Sequence, residues 1–302
     1  MEGKNMTYFP EFVVEDPRFN DLIDTEATLE AVSCGYQVTE GIMWWPQHNS
    51  LIWSDMWYGK VYEWDPKTLE TKIIKQPSNI NNGNFIDKDG RIVSCEHATS
   101  QIVVWQEDGR WMKPVATHYN GKQLNSPNDV ITDSKGRIWF SDPMYGRTSP
   151  KAGIKRESEL GFQGVYCVDT DGKVILARDD FEQPNGLCLE AGEKTMLVND
   201  TPRQEIRRFK VEDDCTLSGG EQVCKVDGRP DGTKLDSEGN IYTTASGNLQ
   251  IFDKNGVSLG KINVPGQCRN FCFGGENLDY LYFACETIWR LKIKAHGIEF
   301  FK

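Results

Sequence analysis

Short apolar runs, each bounded by Gly, Asp or Asn, recur along the whole chain. They are rich in β-branched and aromatic residues that alternate with polar ones, as is typical of β-strands, and no long stretch has the period of an amphipathic helix. The runs come in pairs. The first members are IWSD, IVSCE, IWFSD, MLVND, IYTTAS and LYFACE, and the second members are GKVYEWD, SQIVVWQ, GVYCVDTDG, QEIRRFKV, NLQIFDKNG and TIWRLKI. The pattern predicts an all-β fold built from six repeats.

A turn motif precedes the first run of each pair and gives the period of the repeat. Its clearest copies are DKDGRI at 87–92, DSKGRI at 133–138 and DSEGNI at 236–241. Weaker copies are QHNSLI at 47–52, EAGEKTM at 190–196 and ENLDYL at 276–281. The spacing of about 40 to 58 residues suits propeller blades of four short strands. We therefore expect residues 1–302 to form a single domain, a six-bladed β-propeller with a central channel.

Two segments fall outside the repeat. Residues 10–38 precede the first full copy, and we expect the run TLEAVSCGYQV within them to complete the last blade and close the ring. Residues 147–163 form a polar insertion, punctuated by Gly and Pro, between the third and fourth copies. This insertion predicts a loop on one rim, and both a solvated loop and a lid over a site fit its composition.

Composition and charge narrow the classes of partner. Hydrophobic residues make up 38% of the chain, with nine Trp and fourteen Phe, which is enough for a packed core. The formal net charge of −11 argues against nucleic acid and against anionic membrane surfaces, because both require clustered Lys and Arg. Neither nucleic acid nor an anionic membrane is therefore an expected partner.

The cysteines and the first residues bear on the compartment. Nine cysteines are scattered without the spacing of a zinc site, and several lie in apolar runs. The start, MEGKNMTYFPEFVVED, has no apolar core of a signal peptide, and no run is long enough to span a bilayer. These features predict a cytoplasmic protein with reduced thiols.

Oxygen-bearing side chains recur at one phase of the repeat. Asn82, Asn128 and Asp231 each lie eight positions before the glycine of a turn motif. The other copies place Glu40, Asn185 and Asn270 at the equivalent position. Equivalent positions in a closed ring face the axis from the same side, so we expect these six side chains to converge at one mouth of the channel.

A divalent cation would explain this set of residues. Two carboxylates beside four amides are costly to bury without a partner, and Ca²⁺ accepts mixed carboxylate and amide oxygens. The absence of His and Cys at this phase argues against zinc as the evolved choice, although an oxygen-rich shell also admits Mn²⁺, Mg²⁺, Fe²⁺ or Zn²⁺. The alternative is that these residues are ordinary turn formers before Gly. We favour a central metal site, with Ca²⁺ as the expected cation.

Several stretches resemble the gluconolactonase/regucalcin family of six-bladed propellers. They are TEGIMW, NSPNDVITDSKGRIWFSDPMYG, QPNGL and RPDGTKLDSEGNIY, and the resemblance runs from about residue 10 to residue 294. It implies metal ligation by Glu40, Asn185 and Asp231, with Asn128 completing the site and touching substrate. Asn82 and Asn270 would line the pocket. Several relatives have a substrate-gripping Arg two positions before the third-blade Asn, where this chain has Ser126, so that contact is missing or comes from elsewhere.

The resemblance implies a metal-dependent lactonase that opens a sugar lactone. Asp231 is then the candidate base or nucleophile. His97 is a candidate substrate contact or proton carrier, with a surface or structural role as the alternative. Ser141 lacks the elbow and the nearby His of a serine hydrolase. A phosphotriesterase or arylesterase on the same metal site and a non-catalytic calcium-binding propeller remain as alternatives.

Overall fold

Six antiparallel β-sheets surround one axis in the computed structural model, which describes residues 6–106 and 112–299. The innermost strands of the sheets contact one another in chain order, and the innermost strand of the last sheet contacts that of the first. The ring of sheets is therefore closed. The predicted all-β, six-bladed propeller is confirmed.

Each sheet is one blade, and its strands are given from the channel outward, so that the innermost is its first strand and the next is its second. Blade 1 consists of Thr39–Trp45, Ser50–Asp55, Lys60–Asp65 and Glu70–Lys75. Blade 2 consists of Asn81–Ile86, Ile92–Glu96, Gln101–Trp105 and Met112–Ala116. Blade 3 consists of Val130–Thr132, Ile138–Asp142, Gly164–Val168 and Val174–Arg178.

The remaining blades include strands from the N-terminal region. Blade 4 consists of Pro184–Leu189, Thr195–Asp200, Glu205–Val211 and Leu217–Lys225. Blade 5 consists of Pro230–Leu235, Ile241–Ala245, Asn248–Phe252 and Ser258–Asn263, with Glu11–Val14 on its outer edge. Blade 6 consists of Asn270–Gly274, Tyr280–Ala284 and Thr287–Lys292, followed outward by Leu29–Cys34 and Thr7–Tyr8. A separate hairpin pairs His118–Tyr119 with Lys122–Gln123.

The N-terminal region is divided between two blades. The sequence pattern assigned the run TLEAVSCGYQV, within residues 10–38, to the last blade. In the structure Leu29–Cys34 pairs with Thr287–Lys292 of blade 6, whereas Glu11–Val14 pairs with Ser258–Asn263 of blade 5. A short helix, Phe19–Leu22, lies between these two strands, and its Phe19 is buried in the shared core.

The turn motif of the repeat closes each first hairpin at the end of the channel away from the first-strand entrances. In blade 3 the Asp133 carboxylate accepts the N–H groups of Lys135 and Arg137 at 3.1 and 2.9 Å. Gly136 has φ +86°, a left-handed conformation that costs glycine little. Asp87 and Asp236 make the same pair of bonds in blades 2 and 5. The motif thus fixes the register of the two inner strands.

Apolar side chains fill the spaces between blades. The Trp residues that recur at strand positions, such as Trp53 and Trp139, are buried there, as expected. All nine cysteines lie among the described residues and are free, and only Cys34 is exposed. Within residues 6–106 and 112–299, no helix is long and apolar enough to cross a bilayer.

Candidate active site

The six repeat-phase residues lie at one end of the channel. Glu40, Asn82, Asn185 and Asp231 are each the second residue of an innermost strand. Asn270 is the first residue of the innermost strand in blade 6, and Asn128 lies two residues before the innermost strand of blade 3. This end of the channel therefore carries two carboxylates and four amides.

Two contact pairs and an electrostatic interaction between their carboxylates link four of these side chains. Asn270 Nδ2 donates to Glu40 Oε2 at 3.4 Å. Asn185 hydrogen-bonds to the Asp231 carboxylate, and the charges of Asp231 and Glu40 act on one another. Among the described residues, the Asn128 side chain makes no hydrogen bond to either carboxylate. Its neighbour Asp129 nevertheless interacts electrostatically with both, so blade 3 faces the same centre.

Glycines that follow the site residues allow the strands to approach closely. A Cβ on Gly41 would overlap the Asn82 carbonyl oxygen, and one on Gly83 would overlap that of Asn128. A Cβ on Gly186 would overlap the Asp231 carbonyl oxygen, and one on Gly232 would overlap the Asn270 side chain. The recurring Glu-Gly, Asn-Gly and Asp-Gly pairs therefore reflect steric need at the narrow end of the channel, beyond a general turn preference.

Side chains from the second strands hold the backbone of the site. Ser54 Oγ donates to the Asn82 carbonyl at 3.0 Å, and Asn199 Nδ2 donates to the Asp231 carbonyl at 2.5 Å. The acidic residues that end three second strands fasten the segment before the first strand. Asp55, Asp142 and Asp200 accept N–H groups of Gln37, Asn125 and Gln183 at 3.0, 2.8 and 3.0 Å. This explains why strands such as IWFSD end in Asp.

The two carboxylates are held in a setting that disfavours their charge. Burial raises the pKa of Glu40 well above its ordinary value, and the charge of Asp231 raises it further. Burial also raises the pKa of Asp231 to about 7, although the Arg269 charge and the hydrogen bond from Asn185 oppose this. Two neighbouring carboxyls with raised pKa values are stabilised by a cation placed between them.

The donor set suits a hard divalent cation. Glu40 and Asp231 supply carboxylate oxygens, while Asn128 and Asn185 supply amide oxygens, the ligand types that Ca²⁺ accepts. Within residues 6–106 and 112–299, no group of three or more His, Cys, Asp or Glu side chains is arranged to hold a metal. That finding is compatible with a shell of two carboxylates completed by amide oxygens.

His97 supports the site from behind. It is 1% exposed, Asn82 Nδ2 donates to its Nε2 at 3.1 Å, and its Nδ1 donates to the Ala152 carbonyl at 2.7 Å. Burial lowers the pKa of His97 to about 4, so the ring is neutral at pH 7. Both nitrogens are engaged within the protein, and this arrangement favours a positioning role over the predicted substrate contact or proton transfer.

The insertion 147–163 is tied to the same rim. Arg147 is 2% exposed and donates to the Asn125 and Glu157 carbonyls at 2.8 and 2.7 Å. Arg156 donates to the Ala98 carbonyl at 3.3 Å, and Lys151 lies over the exposed Trp57 ring at 5.0 Å. The insertion is therefore an ordered wall that spans blades 1 to 3.

The short helix that leads into this wall presents a residue that the sequence reasoning missed. Tyr145 begins the short helix Tyr145–Thr148, and its phenol contacts Asn185 and Thr201. Burial and the charge of Asp231 raise the pKa of this phenol. Ser126 holds the helix in place, since its Oγ accepts the Gly146 N–H at 2.9 Å and donates to the Pro143 carbonyl at 2.6 Å. Ser126 is buried and serves this turn, so it offers no substitute for the missing arginine.

A separate cavity of about 580 Å³ lies at the opposite end of the channel. Innermost-strand residues of all blades, among them Ile42, Phe85 and Leu235, line it together with residues 296–299. Lys234 also lines the cavity and pairs with Asp129 across the channel at 3.5 Å. This ion pair stands between the cavity and the oxygen-rich end.

The chain is similar to lactonases in sequence and structure. The family model SMP-30/Gluconolactonase/LRE-like region matches residues 38–287. A gluconolactonase of Zymomonas mobilis is 27% identical over 93% of this chain and 85% of its own, and a pentonolactonase of Haloferax volcanii is 25% identical over 83% and 82%. The solved gluconolactonase of Xanthomonas campestris superposes with a TM-score of 0.89 at 29% identity, covering 96% of this chain and 98% of that one.

Proposed function

The chain belongs to the SMP-30/gluconolactonase/LRE-like family, and we propose that it is a metal-dependent lactonase that opens a sugar lactone with water. The observation that carries this proposal is the convergence of Glu40, Asn185, Asp231 and Asn270 at one end of the channel. The lactonase names of the relatives support the reaction class. Metal dependence rests on the donor set and on the raised carboxyl pKa values.

Glu40, Asn185 and Asp231, with Asn128 beside them, are the residues that would hold the cation. A bound divalent cation, of which Ca²⁺ suits an all-oxygen shell, supplies Lewis acidity that polarises the lactone carbonyl and stabilises its developing negative charge. Asn82 and Asn270 extend the polar wall around the lactone. Tyr145 closes it from the insertion side, where its phenol can hydrogen-bond a ring hydroxyl.

Asp231 is the base in this proposal. As water oxygen bonds to the carbonyl carbon, Asp231 accepts a proton from the water. The ring C–O bond then breaks, and the same proton passes to the departing ring oxygen. The product is a hydroxy acid, and the atoms balance with one water consumed. Asn185 keeps the Asp231 carboxylate in place through its hydrogen bond.

The test uses metal-stripped protein reloaded with single cations and assayed by acid release from a panel of aldonolactones. Glu40→Gln and Asp231→Asn should each lower cation affinity and reduce turnover by at least about a hundredfold, because each removes a charged ligand. Glu276→Gln makes the same chemical change on an exposed turn at the opposite end of the channel and serves as the matched control.

The outcomes separate the candidate functions. Parent rates in both folded site variants would show that the site is assigned wrongly. Turnover of fluorophosphates or aryl esters, with none of lactones, would identify a phosphotriesterase or arylesterase. Cation binding by calorimetry without turnover of any of these substrates would identify a binding protein.

A further inference from the structure

Two arginines stand beside the site, and neither has a carboxylate partner within residues 6–106 and 112–299. Arg229 precedes Asp231 by two residues, and Arg269 immediately precedes Asn270. The Arg269 guanidinium donates to Gln267, to Oε1 at 2.9 Å and to the carbonyl at 3.4 Å. In the part of the chain that the structure describes, neither arginine forms an ion pair. Both guanidinium groups therefore have donors available for a further partner.

Backbone bonds fix both residues at the mouth of the site. The Arg269 carbonyl accepts the Gly232 N–H at 3.0 Å, and its own N–H donates to the Ala284 carbonyl at 3.3 Å. The Arg229 N–H donates to Ser246 Oγ at 3.3 Å. These bonds join the segments before the first strands of blades 5 and 6, so the two arginines start from adjacent points on the same rim.

Both arginines flank residues of the site. Arg269 immediately precedes Asn270, whose Nδ2 donates to Glu40 at 3.4 Å, and Arg229 lies two residues before Asp231. Arg229 is exposed and Arg269 is half-buried, so both side chains are accessible at this end of the channel. The Arg229 charge also acts on Tyr145, whose phenol contacts Asn185.

A charge count points to the kind of ligand that this rim suits. A divalent cation balances the two carboxylates Glu40 and Asp231, and Lys234 balances Asp129 at 3.5 Å. Glu286 lies beside Arg269, where its carboxylate accepts the Gln267 N–H at 3.2 Å, so the two arginines leave a surplus of one positive charge at this rim in a chain whose formal net charge is −11. Arginine binds carboxylate and phosphate groups in bidentate fashion, so the surplus suits an anionic group on the substrate.

We propose that Arg229 and Arg269 select lactones that carry a second, negatively charged group, a carboxylate or a phosphate monoester, away from the reacting ester. This inference rests on the proposed lactonase function. The cation site holds the reacting carbonyl, and the arginines hold the remote anion. Binding energy at the remote group then orients the ester for water attack.

The experiment compares kcat/KM for three substrates of one ring type: glucono-δ-lactone, its 6-phosphate and a glucarolactone. The proteins are the parent, Arg229→Gln, Arg269→Gln, the double variant and Lys67→Gln. The last removes an exposed lysine from a hairpin of blade 1 and controls for net charge. For the parent, kcat/KM should be about tenfold or more higher for at least one charged lactone than for the neutral one. Each arginine change should lower kcat/KM for that charged lactone by about tenfold, which is the contribution of a hydrogen bond to a charged group.

In the arginine variants, kcat/KM for the neutral lactone should fall far less than kcat/KM for the charged lactones. The preference of the parent for charged lactones should shrink as ionic strength rises. The phosphate and carboxylate substrates identify which anion is selected. Equal kcat/KM of the parent for neutral and charged lactones would overturn the inference and leave the lactonase intact. An equal decrease of kcat/KM for all three substrates in the arginine variants would also overturn the inference.

A binding measurement keeps the inference separate from the proposed function. Calorimetry of the metal-loaded protein with gluconate, 6-phosphogluconate and glucarate needs no turnover. If no lactone is hydrolysed, the proposed function fails, and tighter binding of a doubly charged acid that disappears in the double variant supports anion selection at this rim. Absent binding, or equal affinity for all three acids, overturns it.

Discussion

Asp142 provides a direct test of how the site segments are anchored. This carboxyl ends the second strand of blade 3, is fully buried, and accepts the Asn125 N–H at 2.8 Å. Burial is the largest effect and raises the pKa of Asp142 from 3.8 to about 7, while the N–H groups of Asn125 and Ser126 oppose it. The protein should therefore become less stable when this group ionises.

The size and sign of this effect on the free energy of unfolding follow from the linkage between proton binding and folding. A pKa difference between 3.8 and about 7 corresponds to roughly 4 kcal/mol between the two protonation states. The folded state binds this proton more tightly than the unfolded chain does. The contribution is therefore fully present below pH 4 and is lost progressively as the pH rises to about 7.

The perturbation is Asp142→Asn, and the measurement is the free energy of unfolding from urea titrations between pH 5 and pH 8. From pH 5 to pH 8 the free energy of unfolding of the variant should rise by about 2–3 kcal/mol relative to that of the parent, because Asn carries no charge to bury. Glu40 and Asp231 titrate in both proteins, so their effects cancel in the difference. Leu160→Ala, in the buried cluster of blades 2 and 3, is the control, since it should lower stability by about 2–5 kcal/mol at every pH.

A constant stability difference from pH 5 to pH 8 would refute the reasoning. It would mean that Asp142 is already ionised in the folded protein at pH 5 and that the N–H groups outweigh burial.

Three further changes probe the site. Gly186→Ala should reduce cation affinity at least about tenfold in calorimetry, because its Cβ would overlap the Asp231 carbonyl, and unchanged affinity would contradict the close approach. Tyr145→Phe should lower kcat/KM on lactones about tenfold through loss of one hydrogen bond, and a larger loss of cation affinity than of kcat/KM would argue for a metal-supporting role instead. Arg147→Met should speed proteolysis within 147–163, because the Asn125 and Glu157 carbonyls lose their donor, and resistance equal to the parent would show that other contacts order the insertion.

The repeat made the ring of site residues predictable. Each innermost strand runs through the same register beside the axis, so a shared phase in sequence becomes a shared end of the channel. The phase located Glu40, Asn185 and Asp231 without any family knowledge. It could not locate Tyr145, because the short helix that begins at this residue has no counterpart at this position in the described residues of the other blades.

The sequence also could not predict which way side chains point or which distant residues they contact. His97 follows a second strand, as the sequence indicated, but its partners Asn82 and Ala152 come from elements far apart in the chain. Arg269 lies one residue from the shared phase, and nothing in a linear pattern indicates that its guanidinium lacks an acidic partner. The strand Glu11–Val14 pairs with blade 5, which no local pattern could specify, because edge pairing is decided by neighbours in space.

Blade 6 joins Leu29–Cys34 to Thr287–Lys292, two strands that are far apart in the chain. During synthesis the earlier strand leaves the ribosome long before its partner exists, so this blade cannot assemble until Lys292 has emerged. The bond between Asn270 and Glu40 therefore forms late as well. Deletion of Leu29–Cys34 should abolish the proposed cation affinity, although none of the deleted residues belongs to the candidate site.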